Sequence, residues 1–346
     1  MERLYEEAPN GGEKYRVMAA EELHKLMEKR IAASHAARRA YFTPDMTSED
    51  RYRTSVEHYR QRYMDMLGWP LSPWEKDWEA PVEEEFVAED DLGTIWRLRI
   101  PVIEGLHTYG ILFVPKGEGP HPLVITQHGG LGTPERVGGF FGSANYNDMV
   151  RRVLRRGAMC FAPQLYLWKD DYGPALDRDS GNTEHQLKML GGSFAALEVR
   201  MIMASMDALC RRSDVDTSRV GMLGLSYGGL YTLLTSAADT RIKVACSSCA
   251  FNDTLDVKMK DWGWFASANC FSLVEIAKLT CPRPLYIEVG SKDELFAAAR
   301  AEELAPEVEA AYETLNIRDK FRFRVFEGVH ELSTQEDSIE FLMKYL

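Results

Sequence analysis

The segment RVGMLGLSYGGLYTLL, residues 219–234, places one serine between glycines at a change of sequence pattern. The residues before the serine form an apolar run typical of a buried strand, and the residues after it have a helical pattern. Ser226 lies at the centre of Gly-x-Ser-x-Gly, between Gly224 and Gly228. A sharp strand-to-helix turn strains the backbone of such a serine and requires small residues beside it. The segment therefore predicts a nucleophilic serine rather than a turn without a chemical role.

Apolar strands alternate with helices on both sides of this segment. An antiparallel pair is predicted at 94–103 and 108–117, where the sequences are TIWRLRIPVI and TYGILFVPKG. The later strands are predicted within residues 122–130, 158–166, 219–226, 242–248, 283–291 and 320–328, and the helices between and after them within 146–157, 193–212, 227–237, 297–315 and 333–346. Such alternation predicts an α/β fold with a mostly parallel sheet covered by helices on both faces.

The first part of the chain has a different composition. Residues 19–42 and 47–68 have helical periodicity, and residues 69–85 are rich in proline and tryptophan, which favours an extended segment on the surface. We predict a helical arm with a linker at 1–81 and a catalytic domain at 82–346. The sequence leaves open whether the arm borders the active site or covers a partner subunit in a homo-oligomer.

Polar residues with complementary chemistry follow the predicted strands, where parallel sheets place their functional sites. Asp293 follows PLYIEV and is favoured as the acid over Glu288, which lies inside the strand, and Glu294, which lies one residue further on. His330 follows the last strand and is the one histidine at a late strand end. The chain order Ser226, Asp293, His330 is the nucleophile–acid–base order of one fold family.

The loop HGGLG at 128–132 follows the strand at 122–127. Its glycines let the backbone N–H of Gly130 or Leu131 point toward the serine, and the N–H of Tyr227 lies at a helix N-terminus. These three residues are predicted to form the oxyanion hole. His128 is predicted to pack beneath the loop. The glycine spacing of a dinucleotide site is missing, so no nucleotide cofactor is expected.

From about residue 82 to the end, these motifs resemble the α/β-hydrolase superfamily. Within it, RRSDVDTSRVGMLGLSYGG and CPRPLYIEVGSKDELF resemble the acetyl xylan esterase and dienelactone hydrolase-like esterase branch. The dienelactone hydrolases themselves use a cysteine nucleophile, so Ser226 favours the esterase side. Prolyl oligopeptidases share a similar Gly-x-Ser-x-Gly-Gly context but normally carry a β-propeller, which this chain lacks.

The resemblance implies a serine esterase that forms an acyl-enzyme. Two alternatives are kept: a peptidase similar to prolyl oligopeptidase, and a non-catalytic binding protein on the same fold. Two segments, 165–192 and 251–273, are predicted to form the pocket walls. Their aromatic candidates for substrate contact are Tyr166, Trp168, Trp262 and Trp264, with packing inside the fold as an even alternative. The expected substrate is a small water-soluble ester, such as an acetylated carbohydrate.

Composition narrows the class of protein. A net charge of −12 over 346 residues argues against nucleic acid or an anionic membrane as a partner. Six cysteines in a chain whose start lacks a secretory signal pattern favour free thiols and a cytoplasmic location. The Cys-x-x-Cys of Cys246 and Cys249 lies in an apolar strand and is interpreted as core packing, and no metal site is predicted.

Overall fold

The computed structural model describes residues 2–168, 178, 182–257 and 259–346. Its strands are β1 Glu83–Glu89, β2 Gly93–Ile103, β3 Leu106–Pro115, β4 His121–Gln127, β5 Met159–Pro163, β6 Val215–Leu225, β7 Val244–Ser248, β8 Leu285–Gly290 and β9 Phe321–Phe326. Its α-helices are α1 Glu13–Tyr41, α2 Glu49–Leu67, α3 Pro134–Val137, α4 Met149–Leu154, α5 Asn182–Met189, α6 Phe194–Leu209, α7 Tyr227–Ala238, α8 Ser267–Cys270, α9 Leu273–Thr280, α10 Ala298–Thr314 and α11 Asp337–Tyr345. Short 3₁₀ turns occupy Ala144–Tyr146, Lys260–Trp262 and Arg318–Lys320.

One nine-stranded sheet has the order β1-β2-β3-β5-β4-β6-β7-β8-β9. The first three strands and the β3–β5 pair are antiparallel, and β5, β4 and β6 to β9 run parallel. Strands β4, β7 and β8 are buried along their whole length, as expected for parallel strands covered on both faces. The predicted α/β class and the antiparallel pair β2–β3 are therefore confirmed.

Helices cover both faces of the sheet through two apolar cores. The larger core joins the sheet to α2, α6, α7, α9 and α10. The smaller core joins the other face to α3, α4 and α11. Helix α7 follows Ser226 directly and is buried along its whole length between the sheet and its neighbours. Burial of this kind fixes the start of α7 relative to the strand ends.

The two predicted N-terminal helices are present, but they differ in their contacts. Helix α2 places Tyr52, Val56 and Tyr63 fully inside the larger core, and the Tyr63 hydroxyl donates to the Leu234 carbonyl of α7. Helix α1 is exposed over most of its length and is anchored near its end by Arg38, which binds Asp253 at 3.0 Å. A domain boundary at residue 81 stays a prediction.

An element that the sequence pattern did not indicate follows the proline-rich linker. Strand β1 begins at Glu83 and pairs antiparallel with β2 at the edge of the sheet. Its first four residues are exposed, so the alternation that marks a half-buried strand is absent from EEEF. Within the described chain, no helix has the length and apolarity needed to cross a bilayer.

Candidate active site

The carboxyl ends of the parallel strands bring the predicted catalytic residues to one edge of the sheet. Gln127, the last residue of β4, lies opposite Gly224 of β6, and Leu225 lies opposite Ser248 of β7. Strands β8 and β9 end together, with Gly290 opposite Phe326. The segments that follow these strands are therefore neighbours, as the register of a parallel sheet requires.

Ser226 occupies the turn between β6 and α7 with φ +60° and ψ −121°. This backbone conformation is unfavourable for a residue with a Cβ atom. The N–H of Ser226 donates to the Ser248 carbonyl at 2.9 Å, and the carbonyl of Ser226 accepts from the Leu230 N–H at 2.9 Å. The N–H and the carbonyl of Ser226 are thus both held by hydrogen bonds, which maintains the strained backbone geometry.

The glycines around Ser226 are required by close backbone approach. A Cβ atom at Gly224 would lie 2.2 Å from the Gly228 carbonyl oxygen, and one at Gly228 would lie 2.1 Å from the Gln127 carbonyl oxygen. A Cβ atom at Gly229 would lie 2.5 Å from the Ser248 carbonyl oxygen. Contacts this short do not occur for real Cβ atoms, so a side chain at any of the three positions would displace the turn.

His330 and Asp293 are hydrogen-bonded at the ends of β9 and β8. The distance between His330 Nδ1 and Asp293 Oδ2 is 2.9 Å. The other carboxylate oxygen of Asp293 accepts the backbone N–H groups of Leu295 and Phe296 at 2.9 and 3.0 Å. Burial would raise the pKa of the Asp293 carboxyl, but the hydrogen bonds from His330 and Phe296 outweigh it and lower that pKa. Asp293 is therefore a carboxylate that orients the imidazole.

The imidazole is also held on its face and through its backbone. The Phe296 ring stacks on His330 with centroids 5.7 Å apart, and Asn145 Nδ2 donates to the His330 carbonyl at 3.1 Å. The Asp293 side chain is fully buried, whereas the His330 side chain is 20% exposed. The histidine thus faces the solvent side while its partner does not.

Ser226 and His330 line one cavity of about 560 Å³. The other described residues of its lining are Gly129, Gly130, Leu131, Arg136, Ala144, Asn145, Tyr146, Trp168, Leu225, Tyr227, Met259 and Leu295. The predicted nucleophile, base and oxyanion residues therefore meet at the same cavity, and Asp293 lies behind His330.

The loop at 128–132 presents its backbone to this cavity. The N–H of Gly129 is already donated to the Tyr146 hydroxyl at 2.9 Å. Leu131 has φ +57°, and Gly130 and Leu131 both line the cavity. With Gly129 engaged, the N–H groups of Gly130, Leu131 and Tyr227 stay the predicted donors to an oxyanion.

His128 lies beneath this loop and outside the cavity lining. Its Nδ1 lies 2.7 Å from the Gly129 carbonyl oxygen, and its Nε2 accepts the N–H of Leu165 at 2.9 Å. Complete burial lowers the pKa of His128 to about 4, and the nearby Arg178 contributes to the lowering. The ring is therefore neutral near pH 7 and supports the loop.

Three charged residues, Arg178, Glu198 and Asp261, lie behind the part of the cavity wall that Tyr227 and Trp168 form. These five residues are here called the Arg178 cluster. Arg178 binds Glu198 through both terminal nitrogens at 2.5 and 3.0 Å and binds Asp261 at 3.0 Å. Asp261 also accepts the Tyr227 hydroxyl at 2.8 Å. The guanidinium lies 5.1 and 5.4 Å from the ring centroids of Trp168 and Tyr227. The cluster fixes the two rings that form this side of the cavity.

The charges of the Arg178 cluster are nearly removed from water. The side chain of Glu198 is fully buried and that of Arg178 is 3% exposed. Burial raises the pKa of Glu198, and the ion pair with Arg178 partly offsets this. For Arg178, burial would lower the pKa, but Glu198, Tyr231 and Asp261 together outweigh it, so that pKa is raised and the guanidinium stays charged. The ion pair therefore offsets part of the cost of burying these two side chains.

The structure places the four aromatic candidates differently. Trp168 lines the cavity. Tyr166 is largely buried and its hydroxyl donates to the His107 carbonyl at 3.2 Å, away from the lining. Trp262 is buried between the rings of Tyr227 and Phe296. Trp264 lines a separate depression beside α2 and α5. Of the predicted wall segment 165–192, residues 169–177 and 179–181 lie outside the described residues.

Sequence reasoning missed Arg136, Tyr146 and the three charged residues of the Arg178 cluster, which are Arg178, Glu198 and Asp261. Arg136 lies in TPERV, directly after the loop at 128–132. Its closeness to that loop in the sequence was the signal that could have indicated it. Glu198 occupies an inward position of α6 in a mainly apolar sequence, and a charge at such a position indicates a buried partner. The identity of that partner is not readable from spacing.

The cysteines of the described chain are free thiols. Cys246 and Cys249 are both buried but contact different carbonyls, those of Ser338 and Glu331. Cys249 also forms the one group with metal-ligand spacing within the described residues, since its thiol and the donor atoms of Asp293 and His330 lie within 4.8 Å of one another. Two of those three residues are already bonded to each other.

The sequence matches the model of the dienelactone hydrolase family over residues 110–330. The chain belongs to the dienelactone hydrolase family. This assignment confirms the predicted α/β-hydrolase fold and a carboxylic ester hydrolase as the class of enzyme. The matched range begins in β3 and ends at His330, so it includes each of the strand ends described above.

Three individual proteins are similar to this chain, one in sequence and two in fold. The chain is 28% identical over 249 residues to the hydrolase YtaP of Bacillus subtilis (strain 168), which covers 67% of this chain and 81% of that protein. A Bacteroides fragilis NCTC 9343 structure described as an acetyl xylan esterase is similar with a TM-score of 0.69 at 13% identity, covering 92% and 89% of the two chains. A glucuronoyl esterase from Solibacter usitatus has a TM-score of 0.64 at 14% identity, covering 86% and 94%.

Proposed function

We propose that this dienelactone hydrolase family member is a serine esterase in which Ser226, His330 and Asp293 form the catalytic triad. The observation that carries the proposal is the shared cavity: a strained serine at a strand-to-helix turn and a carboxylate-bound histidine line the same space. Neither feature alone would indicate acyl transfer, but together they supply a nucleophile and a base.

The reaction begins when Ser226 Oγ attacks the ester carbonyl carbon and His330 takes the hydroxyl proton. Asp293 holds Nδ1 of the ring, which leaves Nε2 as the proton acceptor and stabilises the imidazolium. The tetrahedral oxyanion is stabilised by the N–H of Tyr227 and that of Gly130 or Leu131. His330 then protonates the departing alkoxide, and the acyl group remains on Ser226.

Deacylation repeats these steps with water. His330 takes a proton from the water molecule, the resulting hydroxide attacks the acyl carbon, and Ser226 leaves as its hydroxyl form. The free acid and the alcohol are the products, and no redox step occurs. A cavity of about 560 Å³ fits a small ester. The likeness to an acetyl xylan esterase and a glucuronoyl esterase supports a carbohydrate ester, with an acetylated sugar as the leading candidate.

Hydrolysis of 4-nitrophenyl acetate by the wild type and the S226A variant tests the proposal. We expect S226A to reduce kcat by about 10³-fold or more. Ser218, an exposed serine at the opposite end of β6, provides the matched control S218A, whose kcat should be unchanged. Activity that survives S226A would refute the assignment.

Two further measurements address the alternatives. Labelling of the wild type by a fluorophosphonate, lost in S226A, excludes a non-catalytic binding protein. Turnover of proline-containing amides above that of short-chain esters would favour the peptidase.

Self-association through α1 is a separate part of the proposal. Sedimentation of the full chain and of a truncation that begins at Ser34 tests it, and we expect the truncation alone to be monomeric.

A further inference from the structure

The phenol of Tyr146 lies in the lining of the active-site cavity, beside the turn that holds Ser226. Tyr146 ends the 3₁₀ turn Ala144–Tyr146 and is 3% exposed. A Cβ atom at Gly129 would lie 3.0 Å from the Cβ atom of Ser226 and 3.5 Å from the hydroxyl oxygen of Tyr146. The hydroxyl and the proposed nucleophile therefore flank the same glycine of the loop at 128–132.

This loop is shaped around the Tyr146 hydroxyl. The N–H of Gly129 donates to the hydroxyl oxygen at 2.9 Å. A Cβ atom at Gly132 would lie 2.3 Å from the same oxygen, so a side chain at position 132 would displace the phenol. The loop thus wraps one buried hydroxyl with two of its glycines, which fixes that hydroxyl at the cavity.

The hydrogen bond with Gly129 uses the oxygen of the phenol and leaves its proton free. Among the residues that the structure describes, Tyr146 donates to no acceptor. Burial raises the pKa of Tyr146 to about 12, although the Gly129 N–H and the charge of Arg136 act to lower it. The phenol is therefore neutral near pH 7 and keeps its proton. A hydroxyl that already accepts an N–H is also a stronger donor, because hydrogen bonds in a chain polarise one another.

The cavity supplies a place where such a donor has an effect. Negative charge develops on the ester carbonyl oxygen when the serine adds to the carbonyl carbon, and donors fixed beforehand around that oxygen stabilise the transition state. None of the described lining residues is an aspartate or glutamate that would compete for the phenol proton. The developing oxyanion is thus the strongest acceptor that the hydroxyl meets during the reaction.

We propose that the Tyr146 hydroxyl donates a hydrogen bond to the oxyanion and is a further catalytic residue of this site. The inference rests on the proposed esterase function. The hydroxyl acts together with the N–H of Tyr227 and that of Gly130 or Leu131, while Gly129 acts through the phenol. The proton stays on Tyr146 throughout, so the hydrogen bond strengthens as charge develops and no proton is transferred.

Replacement of Tyr146 by phenylalanine removes the donor and keeps the ring. Y146F is compared with Y312F in the hydrolysis of 4-nitrophenyl acetate, and thermal unfolding confirms that both variants are folded. Tyr312 is a matched control, because it is buried, its hydroxyl donates to the Arg283 carbonyl at 2.8 Å, and it lies outside the cavity lining. We expect Y146F to lower kcat by about 10²-fold with little change in KM, and Y312F to leave kcat unchanged.

Fluorinated tyrosines at position 146 separate donation to the oxyanion from support of the loop, since phenylalanine removes both. Incorporation of 3-fluorotyrosine or 3,5-difluorotyrosine by nonsense suppression keeps the hydroxyl, but makes it a stronger donor and a weaker acceptor. Donation to the oxyanion predicts that kcat stays at or above the wild-type value along this series. A hydroxyl that only accepts the Gly129 N–H predicts that kcat falls along it.

Binding of an oxyanion analogue gives a second measurement. A trifluoromethyl ketone adds to the serine hydroxyl and forms a stable hemiketal oxyanion, so its affinity should fall in Y146F by about the factor by which kcat/KM falls. An unchanged kcat in Y146F, a kcat that falls along the fluorotyrosine series, or an unchanged affinity for the ketone would each overturn the inference and leave the esterase intact. Failure of the proposed function looks different, because hydrolysis would then survive S226A.

Discussion

Two arginines lie beside the same cavity in opposite electrostatic states. Arg178 stands behind Trp168 and Tyr227 and is bonded to two carboxylates, whereas Arg136 lines the cavity and is bonded to none within the described chain. A guanidinium whose donors are all matched by its own protein is a structural element. One whose donors are unmatched is available to a ligand. The difference separates a guanidinium that holds the cavity wall in place from one that lies at the cavity itself.

The largest effect expected from this comparison is on stability. Replacing Arg178 with methionine leaves the fully buried Glu198 without its partner, so the R178M variant should lose about 3–5 kcal/mol of unfolding free energy. Urea unfolding followed by fluorescence measures the loss. The same replacement at Arg136 removes no ion pair among the residues that the structure describes, and R136M should lose less than about 1 kcal/mol. Equal losses in the two variants would remove the distinction between the two arginines.

A double variant sharpens the assignment. E198Q removes the charge that R178M would leave uncompensated, so adding E198Q to R178M should recover part of the lost stability rather than add to the loss. Additive losses would mean that the ion pair between Arg178 and Glu198 is not what the cluster depends on.

The second effect is a pH dependence of stability caused by His128. Its pKa is about 4 in the folded chain, against an ordinary value of 6.5. The unfolded chain therefore binds a proton between pH 6.5 and 4 that the folded chain does not, so stability is lost as the pH falls through that range. The shift corresponds to about 3 kcal/mol at the acidic end.

Unfolding free energies of the wild type and H128N at pH 7 and pH 4.5 measure this term. Asparagine is polar but does not titrate, so H128N should lose about 2–3 kcal/mol less than the wild type on acidification. Asp293 contributes a loss at lower pH in both proteins, because its lowered pKa stabilises the fold only above its ordinary titration range. Parallel losses in the two proteins would show that His128 is already protonated in the folded chain or remains exposed to water.

The smallest effect concerns the hydroxyl of Tyr227. The Y227F variant removes one of the hydrogen bonds to Asp261 but keeps the bond from Arg178 and the ring against Trp168. We expect a loss of about 1–2 kcal/mol in unfolding free energy and less than a tenfold change in kcat with 4-nitrophenyl acetate. A larger fall in kcat would assign the Tyr227 side chain, and not only its backbone, to the chemistry.

The residues at the strand ends could be predicted from the sequence, whereas the ion pairs of Arg178 could not. The positions of Ser226, Asp293 and His330 were readable because parallel strands end at one edge, and residues that follow them meet there whatever the loops do. The paired charges were not readable, since Glu198 and Asp261 reach Arg178 from positions 20 and 83 residues away in the chain. Such pairings depend on how loops fold over the sheet, and spacing does not encode this.

The aromatic residues and the first strand show the same limit. Composition marked Trp168, Trp262 and Trp264 equally, and packing alone decided that Trp168 lines the cavity. Strand β1 escaped notice because an edge strand with exposed glutamates has no apolar alternation. The fold class was predictable because periodicity reports which residues are buried, and the parallel strands β4, β7 and β8 are buried along their whole length.

The turn at Ser226 holds the proposed nucleophile through contacts that do not depend on the side chain. Its position is imposed by glycines 224, 228 and 229 and by the backbone bond to Ser248, and none of these contacts involves the serine side chain. A thiol at 226 would therefore occupy the same place at little steric cost. Replacing the oxygen nucleophile by sulfur then takes a single substitution and leaves the backbone of the turn unchanged. Position 226 is therefore a natural one at which to redesign the proposed acyl-transfer chemistry.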